Sequence, residues 1–216
     1  MRLTSLMKSA ATLALLVPAA AACGDDATGP GSGSATAVVH DDPSSGSAAT
    51  RADFSRISAA TTSGGSYSGE IRANVTVQVS ADGEAWTDVY SQATGSSEVD
   101  LQTSSETTLV SSASVDAGTY SYVRVVLQSP SAHLNSGSTI AGSTGDLTLD
   151  ADVSLTLGSD GQLVIEKQVA DFQVSADSNT TISTDLNSEA WISQENVEGR
   201  AVSSSEVQSA TAVSIN

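Results

Sequence analysis

Cysteine, lysine and aromatic residues are scarce in this chain, and each scarcity excludes something. A single cysteine among 216 residues excludes an intramolecular disulfide, so the fold must be held together by its core. Lysine and arginine number 8 against 25 aspartates and glutamates, which gives a net charge of −17. Nucleic acids and anionic lipid surfaces are both bound through Lys and Arg. We therefore expect no nucleic-acid partner and no direct attraction to anionic lipids.

The chain also lacks an apolar run long enough to span a bilayer, which takes roughly 20 residues. The apolar segment Thr12–Ala22 is shorter, follows the basic residues Arg2 and Lys8, and ends at the lone cysteine, Cys23. A charged start, a short apolar stretch and small final residues are typical of a cleaved signal peptide. We therefore predict a lipoprotein signal peptide over residues 1–22, lipidation of Cys23 and anchoring to a bacterial membrane.

The end of this signal leaves one alternative open. The triplet Ala20-Ala21-Ala22 meets the small-residue requirement of lipoproteins, but it also fits the A-x-A site of an ordinary signal peptidase. Ordinary cleavage would leave Cys23 as a free N-terminal thiol. Either cleavage removes two basic residues and no acidic one, so the processed chain would be more acidic still. Both alternatives predict a protein of the cell envelope, periplasmic or surface-facing.

Composition divides the remaining chain into three parts. Residues 23–34 are rich in Gly, Ser and Asp, which is typical of a flexible tether. Residues 35–192 carry most of the regular alternation of apolar and polar positions, and they form the predicted domain. Residues 193–216 alternate only weakly, so this tail is predicted to be a terminal strand or disordered, and the weak pattern favours disorder.

Alternation of apolar and polar residues is the main structural signal in the domain. The clearest alternating segments are Ala35–His40, Ile71–Val79, Tyr122–Leu127 and Leu147–Leu157. This period of two predicts β-strands, and Tyr122–Leu127, which is apolar on nearly both sides, is predicted to be central. The turn signals Asp82-Gly83 and Gly158–Gly161 predict hairpins, and Pro130 predicts the end of the central strand.

Many short strands separated by turn signals are typical of a β-sandwich. We predict an all-β fold: an antiparallel β-sandwich, either immunoglobulin-like or similar to a carbohydrate-binding module. No internal repeat of 20–50 residues is visible, which argues against a propeller or a solenoid.

Five short motifs follow one another along the chain. They are Asp42-Pro43, Trp86, Val99-Asp100-Leu101, Ala117-Gly118-Thr119-Tyr120 and Val123-Arg124-Val125. In this order they resemble an uncharacterised family of bacterial lipoprotein domains, a domain of unknown function, over residues 35–192. The resemblance implies a β-sandwich on a lipid anchor. It brings no catalytic residues, because none are established for the family.

Few residues of the chain offer catalytic chemistry. The two histidines, His40 and His133, lie in or beside predicted strands, and neither stands in a G-x-S-x-G context. Serine is so common here that a serine close to a histidine carries little information. The acidic residues lie mostly in turns or at alternating exposed positions, rather than as a facing glycosidase pair. We therefore expect no enzymatic activity and no cofactor.

Three aspartates on one side of an alternating segment, Asp146, Asp150 and Asp152, are the nearest approach to a metal site. Calcium takes six to eight oxygen ligands from convergent loops. A row of carboxylates along one strand does not converge, so the pattern favours a solvated acidic face. The sequence predicts no metal site.

Aromatic side chains are the remaining candidates for ligand binding, because carbohydrate modules stack sugars on such rings. The candidates are Trp86, Tyr90, Tyr122 and Trp191. A chain with so few aromatic residues would bury most of them, so core packing is the alternative for both tryptophans. The sequence thus favours a non-enzymatic envelope lipoprotein with a binding or structural β-sandwich, whose partner is a glycan or an envelope protein. The alternative is a carbohydrate-binding module at the cell surface.

Overall fold

The computed structural model describes residues 31–41, 66–92, 95–101, 105–158, 160–176 and 178–216. Cys23, the predicted signal peptide and the Asp42-Pro43 motif lie outside these residues. The strands are β1 (Ser32–His40), β2 (Gly69–Ser80), β3 (Thr87–Ser91), β4 (Ser97–Leu101), β5 (Thr107–Asp116), β6 (Gly118–Leu134), β7 (Thr139–Ile140), β8 (Leu147–Thr148), β9 (Val153–Leu157), β10 (Gln162–Val174), β11 (Asn179–Asp185), β12 (Ala201–Val202) and β13 (Ala212–Ile215). The helices are a 3-10 turn (Ser188–Ala190), α1 (Gln194–Gly199) and α2 (Ser204–Ala210). None of the helices in the described ranges is long and apolar enough to cross a bilayer.

The strands form two main sheets and a small pair made by β7 and β8. The four-stranded sheet has the order β13-β11-β1-β5, with β1 and β11 parallel. In the seven-stranded sheet, β2 pairs with β6 at the centre. Strands β3 and β4 lie end to end along the other edge of β2, and β9 and β10 lie end to end along the other edge of β6. Strand β12 adds to β9 in parallel. The predicted all-β, sandwich-like fold is confirmed.

A single core between the two sheets follows from the alternation in the sequence. On β2 the inward residues Val75, Val77 and Val79 are at most 3% exposed, and the inward residues of β6 and β1 join them in one cluster. Burying a valine, leucine or isoleucine side chain contributes about 1.5–3 kcal/mol. The predicted strands at Ala35–His40, Ile71–Val79 and Tyr122–Leu127 are therefore confirmed, the last as the central strand.

The central strand continues through the proline that was predicted to end it. Strand β10 pairs with β6 only as far as Gln128, and β9 pairs with it only from Ser131 onwards. Pro130 occupies the gap between these two partners, and on the β2 side the register shifts, which marks a bulge. A proline is tolerated at a bulge, since no ladder hydrogen bond is required of its missing N–H. The prediction of a strand end at Pro130 is wrong for this reason.

The segment Gly158–Gly161 does not form the predicted hairpin. Strands β9 and β10, on either side of it, both run antiparallel to β6 and follow each other along the same edge. The chain is therefore displaced sideways by this segment and keeps its direction. Leu157 and Leu163 are still buried on the same side, as the alternation predicted, but through pairing with β6 rather than with each other.

Both ends of the predicted domain need correction. Strand β1 begins at Ser32, so residues 32–34 belong to the sheet rather than to the tether. The tail is folded as far as the last residues: Val197 of α1 and Val207 of α2 are buried, and β13 pairs with β11. The terminal strand predicted as one alternative is present, and the favoured alternative of disorder is wrong. Weak alternation in the tail reflects its two amphipathic helical turns, which have a different period.

A buried polar network joins two distant points of the chain. Asp41, directly after β1, accepts hydrogen bonds from the backbone N–H and the hydroxyl of Ser188, at 2.6 and 2.5 Å. The Ser188 hydroxyl also lies 3.0 Å from the hydroxyl of Tyr67, just before β2. All three residues are buried. Hydrogen bonds to the carboxylate compensate for its burial, which would otherwise be strongly unfavourable.

Candidate functional site on the outer sheet face

The seven-stranded sheet turns one side to the core and the other, here called the outer face, away from it. On β6 the outer residues alternate with the buried Val123, Val125 and Leu127. The outer face is defined by Arg72, Thr76 and Gln78 of β2, Tyr122, Arg124, Val126, Ser131 and His133 of β6, Ser154 of β9, and Val164, Glu166 and Gln168 of β10. Val164 is the one large hydrophobic side chain in the described ranges that is classed as exposed. This face therefore combines aromatic, apolar and charged groups on one flat surface.

Trp86 joins the outer face through a contact with Arg124. The guanidinium carbon of Arg124 lies 3.8 Å from the centroid of the Trp86 ring. The same guanidinium donates from Nε and Nη2 to Glu166 Oε2, at 3.3 and 3.1 Å. A cation over an aromatic ring at an exposed site contributes about 0.5–1 kcal/mol. Arg124 therefore fixes the position of the Trp86 ring and covers one of its two faces.

The turn before Trp86 explains why this residue lies outside the core. Asp82 Oδ1 accepts from the backbone N–H of Glu84 and of Ala85, at 2.8 and 2.9 Å, and Gly83 has a φ of +79°. These backbone bonds, Ala85 first, lower the pKa of Asp82. The strands pair only from Val79 and Thr87, so the loop is longer than the two residues predicted. The predicted pairing of Trp86 with Val79 is therefore wrong.

Tyr122 is the second candidate aromatic residue on the outer face. It is partly buried, two positions before Arg124 on β6. Its ring packs against the turn: a Cβ placed on Gly83 would lie 3.5 Å from two ring carbons. Beside it on β2, Gln78 donates to Asp88 Oδ1 at 2.7 Å. The structure thus brings Trp86 and Tyr122 to the same end of the face, together with polar groups able to hydrogen-bond a ligand.

The other two candidate aromatic residues lie elsewhere. Trp191 is 1% exposed, and its Nε1 donates to the carbonyl oxygen of Leu186 at 3.0 Å. Tyr90 is partly buried and packs against the core. Core packing, the alternative for Trp191, is what the structure shows. Trp191 offers no surface to a ligand and is corrected from a binding residue to a core residue.

A second group of side chains at the opposite end of the outer face is centred on His133. Its Nε2 lies 3.0 Å from the hydroxyl of Ser131, and its Nδ1 lies 2.9 Å from the hydroxyl of Ser154. The sequence did not single out either serine, because Ser154 reaches His133 only through the pairing of β6 with β9. The spacing of two between Ser131 and His133, on a strand, was the one available signal. His40, the other histidine, stands at the end of β1 opposite Asp185.

The predicted acidic strand face is absent. Strand β8 ends at Thr148 and β9 begins at Val153, so Asp150 and Asp152 lie in the bend between them. Asp152 accepts a hydrogen bond from the backbone N–H of Ser136 at 2.8 Å. Across the described ranges, no three His, Cys, Asp or Glu side chains are placed to hold a metal ion.

The buried side of the sheet carries one ionisable group of note. Lys167 lies on the inward side of β10, opposite Val123, and burial lowers the pKa of its amine. It follows the buried Leu163 and Ile165 in the alternation, at the point where β10 leaves its regular pairing with β6. The lysine therefore lies at the margin of the core and does not belong to the outer face.

Comparison with known proteins identifies the family and nothing finer. No curated protein and no solved structure matches the chain. A family model described as a domain of unknown function, DUF4382, matches residues 32–201, which run from the first residue of β1 to the first residue of β12. This span covers both main sheets, the outer face and the buried Trp191, and with it most of the chain. The chain belongs to the DUF4382 family, a domain of unknown function.

Proposed function

We propose that this protein is a cell-envelope lipoprotein, anchored through a lipid on Cys23, whose β-sandwich binds a partner through its outer face. Its principal role is binding rather than turnover. The anchor rests on the sequence: a charged start, the apolar segment Thr12–Ala22 and a lone cysteine at its end. Two acyl chains are needed for stable anchoring, and the diacylglycerol of a lipoprotein supplies both.

The start of the fold sets how far the domain can lie from such an anchor. Strand β1 begins at Ser32, nine positions after Cys23. At 3.3–3.6 Å per residue, a stretched chain of this length spans about 30 Å. The domain would therefore remain within roughly its own diameter of the membrane, with the turn between β5 and β6 nearest the anchor, since Ala117 N–H bonds to the Gly31 carbonyl at 2.6 Å.

The single observation that carries the binding role is the composition of the outer face. Arg72 and Arg124 both lie there, in a chain with 25 acidic residues and few basic ones. Arginine and aromatic side chains are enriched where proteins bind partners. Each arginine is held by glutamates, Arg72 by Glu70 and Glu98 and Arg124 by Glu166, so the groups are presented in fixed positions.

The lipid anchor is tested by metabolic labelling in the bacterial host. We expect labelled palmitate to be incorporated by the wild-type chain and to be absent from Cys23→Ser. Ser111→Ala, a substitution of an exposed strand residue, is the matched control and should label as wild type. Equal labelling of the Cys23→Ser chain would reject the anchor, as would a native chain that retains residues 1–22.

A carbohydrate-binding module is the second candidate, and one observation favours it. Trp86 and Tyr122 lie at one end of the outer face, beside Arg124, Glu166 and Gln78, a combination of rings and hydrogen-bonding groups that suits sugars. Because Arg124 covers one side of Trp86, a sugar ring would have to stack on the other side.

A glycan array tests this second candidate with the non-lipidated Cys23→Ser chain. We expect binding to a defined glycan that is lost in Trp86→Ala and retained in Trp191→Phe, whose ring lies in the core. No binding across the array, or binding that persists in Trp86→Ala, would remove carbohydrate recognition at this end of the face.

A further inference from the structure

The His133 group at the far end of the outer face has the hydrogen-bond arrangement of an activated serine. A neutral imidazole donates from one ring nitrogen and accepts at the other. His133 has a serine hydroxyl on each nitrogen, Ser131 at 3.0 Å from Nε2 and Ser154 at 2.9 Å from Nδ1. When Nδ1–H donates to Ser154, Nε2 is left to accept the Ser131 proton. A nucleophile in contact with a base that is itself oriented by a third group is the usual signature of nucleophilic activation.

The strands hold these groups in place. Ser131 and His133 are two positions apart on β6, so their side chains project from the same side. Ser154 is the direct partner of His133 on β9, and Arg72 is the direct partner of Ser131 on β2. The register therefore places the arginine beside Ser131, where a negative charge would develop on an attacked carbonyl oxygen. Glu70, opposite His133, is ion-paired with Arg72.

We propose that Ser131 is an acyl-accepting nucleophile, with His133 as its base and Ser154 as a positioning residue. Ser131 Oγ forms a bond to the carbonyl carbon of an ester while its proton passes to His133 Nε2. The bond from that carbon to the alcohol oxygen then breaks, and Nε2–H returns the proton to the departing oxygen. The products are an acylated Ser131, a free alcohol and a neutral His133.

The open shape of the face sets the class of reactant. Side chains of a flat sheet provide no walls to enclose a long substrate, so small esters with an accessible carbonyl group are the fitting acyl donors. No pocket excludes or activates water for a second step, and the reaction is therefore stoichiometric modification of the serine rather than rapid turnover. This site is independent of the binding role proposed above, and it adds a covalent modification to the outer face.

The experiment uses the Cys23→Ser full chain with two probes, a fluorophosphonate and p-nitrophenyl acetate, and locates the modified residue by peptide mass spectrometry. Ser121 is the matched internal control, because it lies on the same strand and its hydroxyl donates to Asp171 at 2.7 Å instead of to a histidine. We expect Ser131 to be modified at least tenfold faster than Ser121. Equal rates at the two serines in the wild-type chain would overturn the proposal, and that comparison depends on no variant being folded.

Substitutions then assign the roles. Because a general base contributes roughly 100-fold or more, His133→Gln should slow modification of Ser131 by that factor, and Ser131→Ala should remove the label from this peptide. Ser154→Ala should slow it several-fold and Ser154→Thr should restore it, with unchanged thermal unfolding midpoints. Nitrogen-15 spectra of the ring should show the proton on Nδ1 in wild type and a mixture in Ser154→Ala. Unchanged modification of Ser131 in folded His133→Gln would overturn the proposal.

Discussion

The two tryptophans of this chain lie in opposite environments, although the sequence around them is similar. Trp191 is almost completely buried beside the C-terminal helices, and its indole N–H is satisfied by a backbone carbonyl. Trp86 lies on the outer face, where its ring is covered by a guanidinium rather than by apolar side chains. Each follows a short polar stretch close to a turn. What separates them is the presence, near Trp191 alone, of a folded tail that closes over it.

The comparison shows that the two rings have different uses to the molecule. Trp191 belongs to the stability of the fold, since its burial needs the 3-10 turn and α1 in place. Trp86 belongs to the surface, where it is positioned by Arg124 and Glu166. The predictions below separate these uses by stability measurements, from the largest effect to the smallest.

Truncating the buried ring should have the largest effect. Trp191→Ala leaves a large cavity and an unsatisfied Leu186 carbonyl, and we expect it to lower the free energy of unfolding by about 3–5 kcal/mol. Urea denaturation followed by circular dichroism measures this change. Trp191→Phe, which keeps most of the ring volume, is the control and should lose less. A loss below about 1 kcal/mol for Trp191→Ala would contradict the buried position.

The hydrogen-bonded cap that holds the tail against Trp191 should have an intermediate effect. Ser203 caps α2 and forms a capping box with Glu206, and Glu206 in turn accepts from Asn196, whose side chain also donates to the Trp191 carbonyl. Removing an N-cap costs about 1 kcal/mol, so Ser203→Ala should lower stability by roughly that amount. Asn135→Ala, which leaves the tail untouched, serves as the comparison.

The same cap gives a pH dependence with a defined sign. The hydrogen bond from Ser203 is the main cause that lowers the pKa of Glu206, and that from Asn196 adds to it. A carboxyl whose pKa is lower in the folded state stabilises the fold above its ordinary value, and this contribution is lost as the pH falls through the lowered value. Glu206→Gln should therefore flatten the acid side of the stability curve. An unchanged slope between wild type and Glu206→Gln would contradict the cap.

Removing the surface ring should have the smallest effect on stability. Trp86→Ala loses mainly the contact with Arg124, which is worth about 0.5–1 kcal/mol, so we expect a loss within this range. Iodide should quench the fluorescence of Trp86 and leave that of Trp191 largely unaffected, which single-tryptophan variants can measure. A loss as large as that of Trp191→Ala would show that Trp86 is a core residue.

Alternation predicted those parts of the fold in which one strand face meets the core. Val75, Val77 and Val79 on β2, and Val123, Val125 and Leu127 on β6, are buried as their spacing indicated. Period two reports burial of one face, and that property is local. The same pattern predicted one strand over Leu147–Leu157, where the structure has β8 and β9 with a bend between them. Alternation does not specify where the backbone finds its hydrogen-bond partners.

Partner choice accounts for the other errors. Gly158–Gly161 has the composition of a hairpin turn, yet β6 is long enough to pair with β9 and β10 in succession, so no reversal is needed. Pro130 is tolerated at the point where β6 changes partner. The His133 group escaped prediction for the same reason, because Ser154 meets His133 only across two strands. Trp191 could not be placed without the tail, whose helical period was hidden by its short length.

The network of Asp41, Ser188 and Tyr67 has a consequence for how members of this family can diverge. Because Asp41 ends β1's segment and Tyr67 precedes β2, the two ends of the intervening stretch are tied to the same serine inside the protein. The cost of closing a loop between fixed ends grows only slowly with its length. This stretch is therefore a natural insertion point, where evolution or an engineer can add or remove residues, or graft an epitope, while the two strands that flank it stay in register.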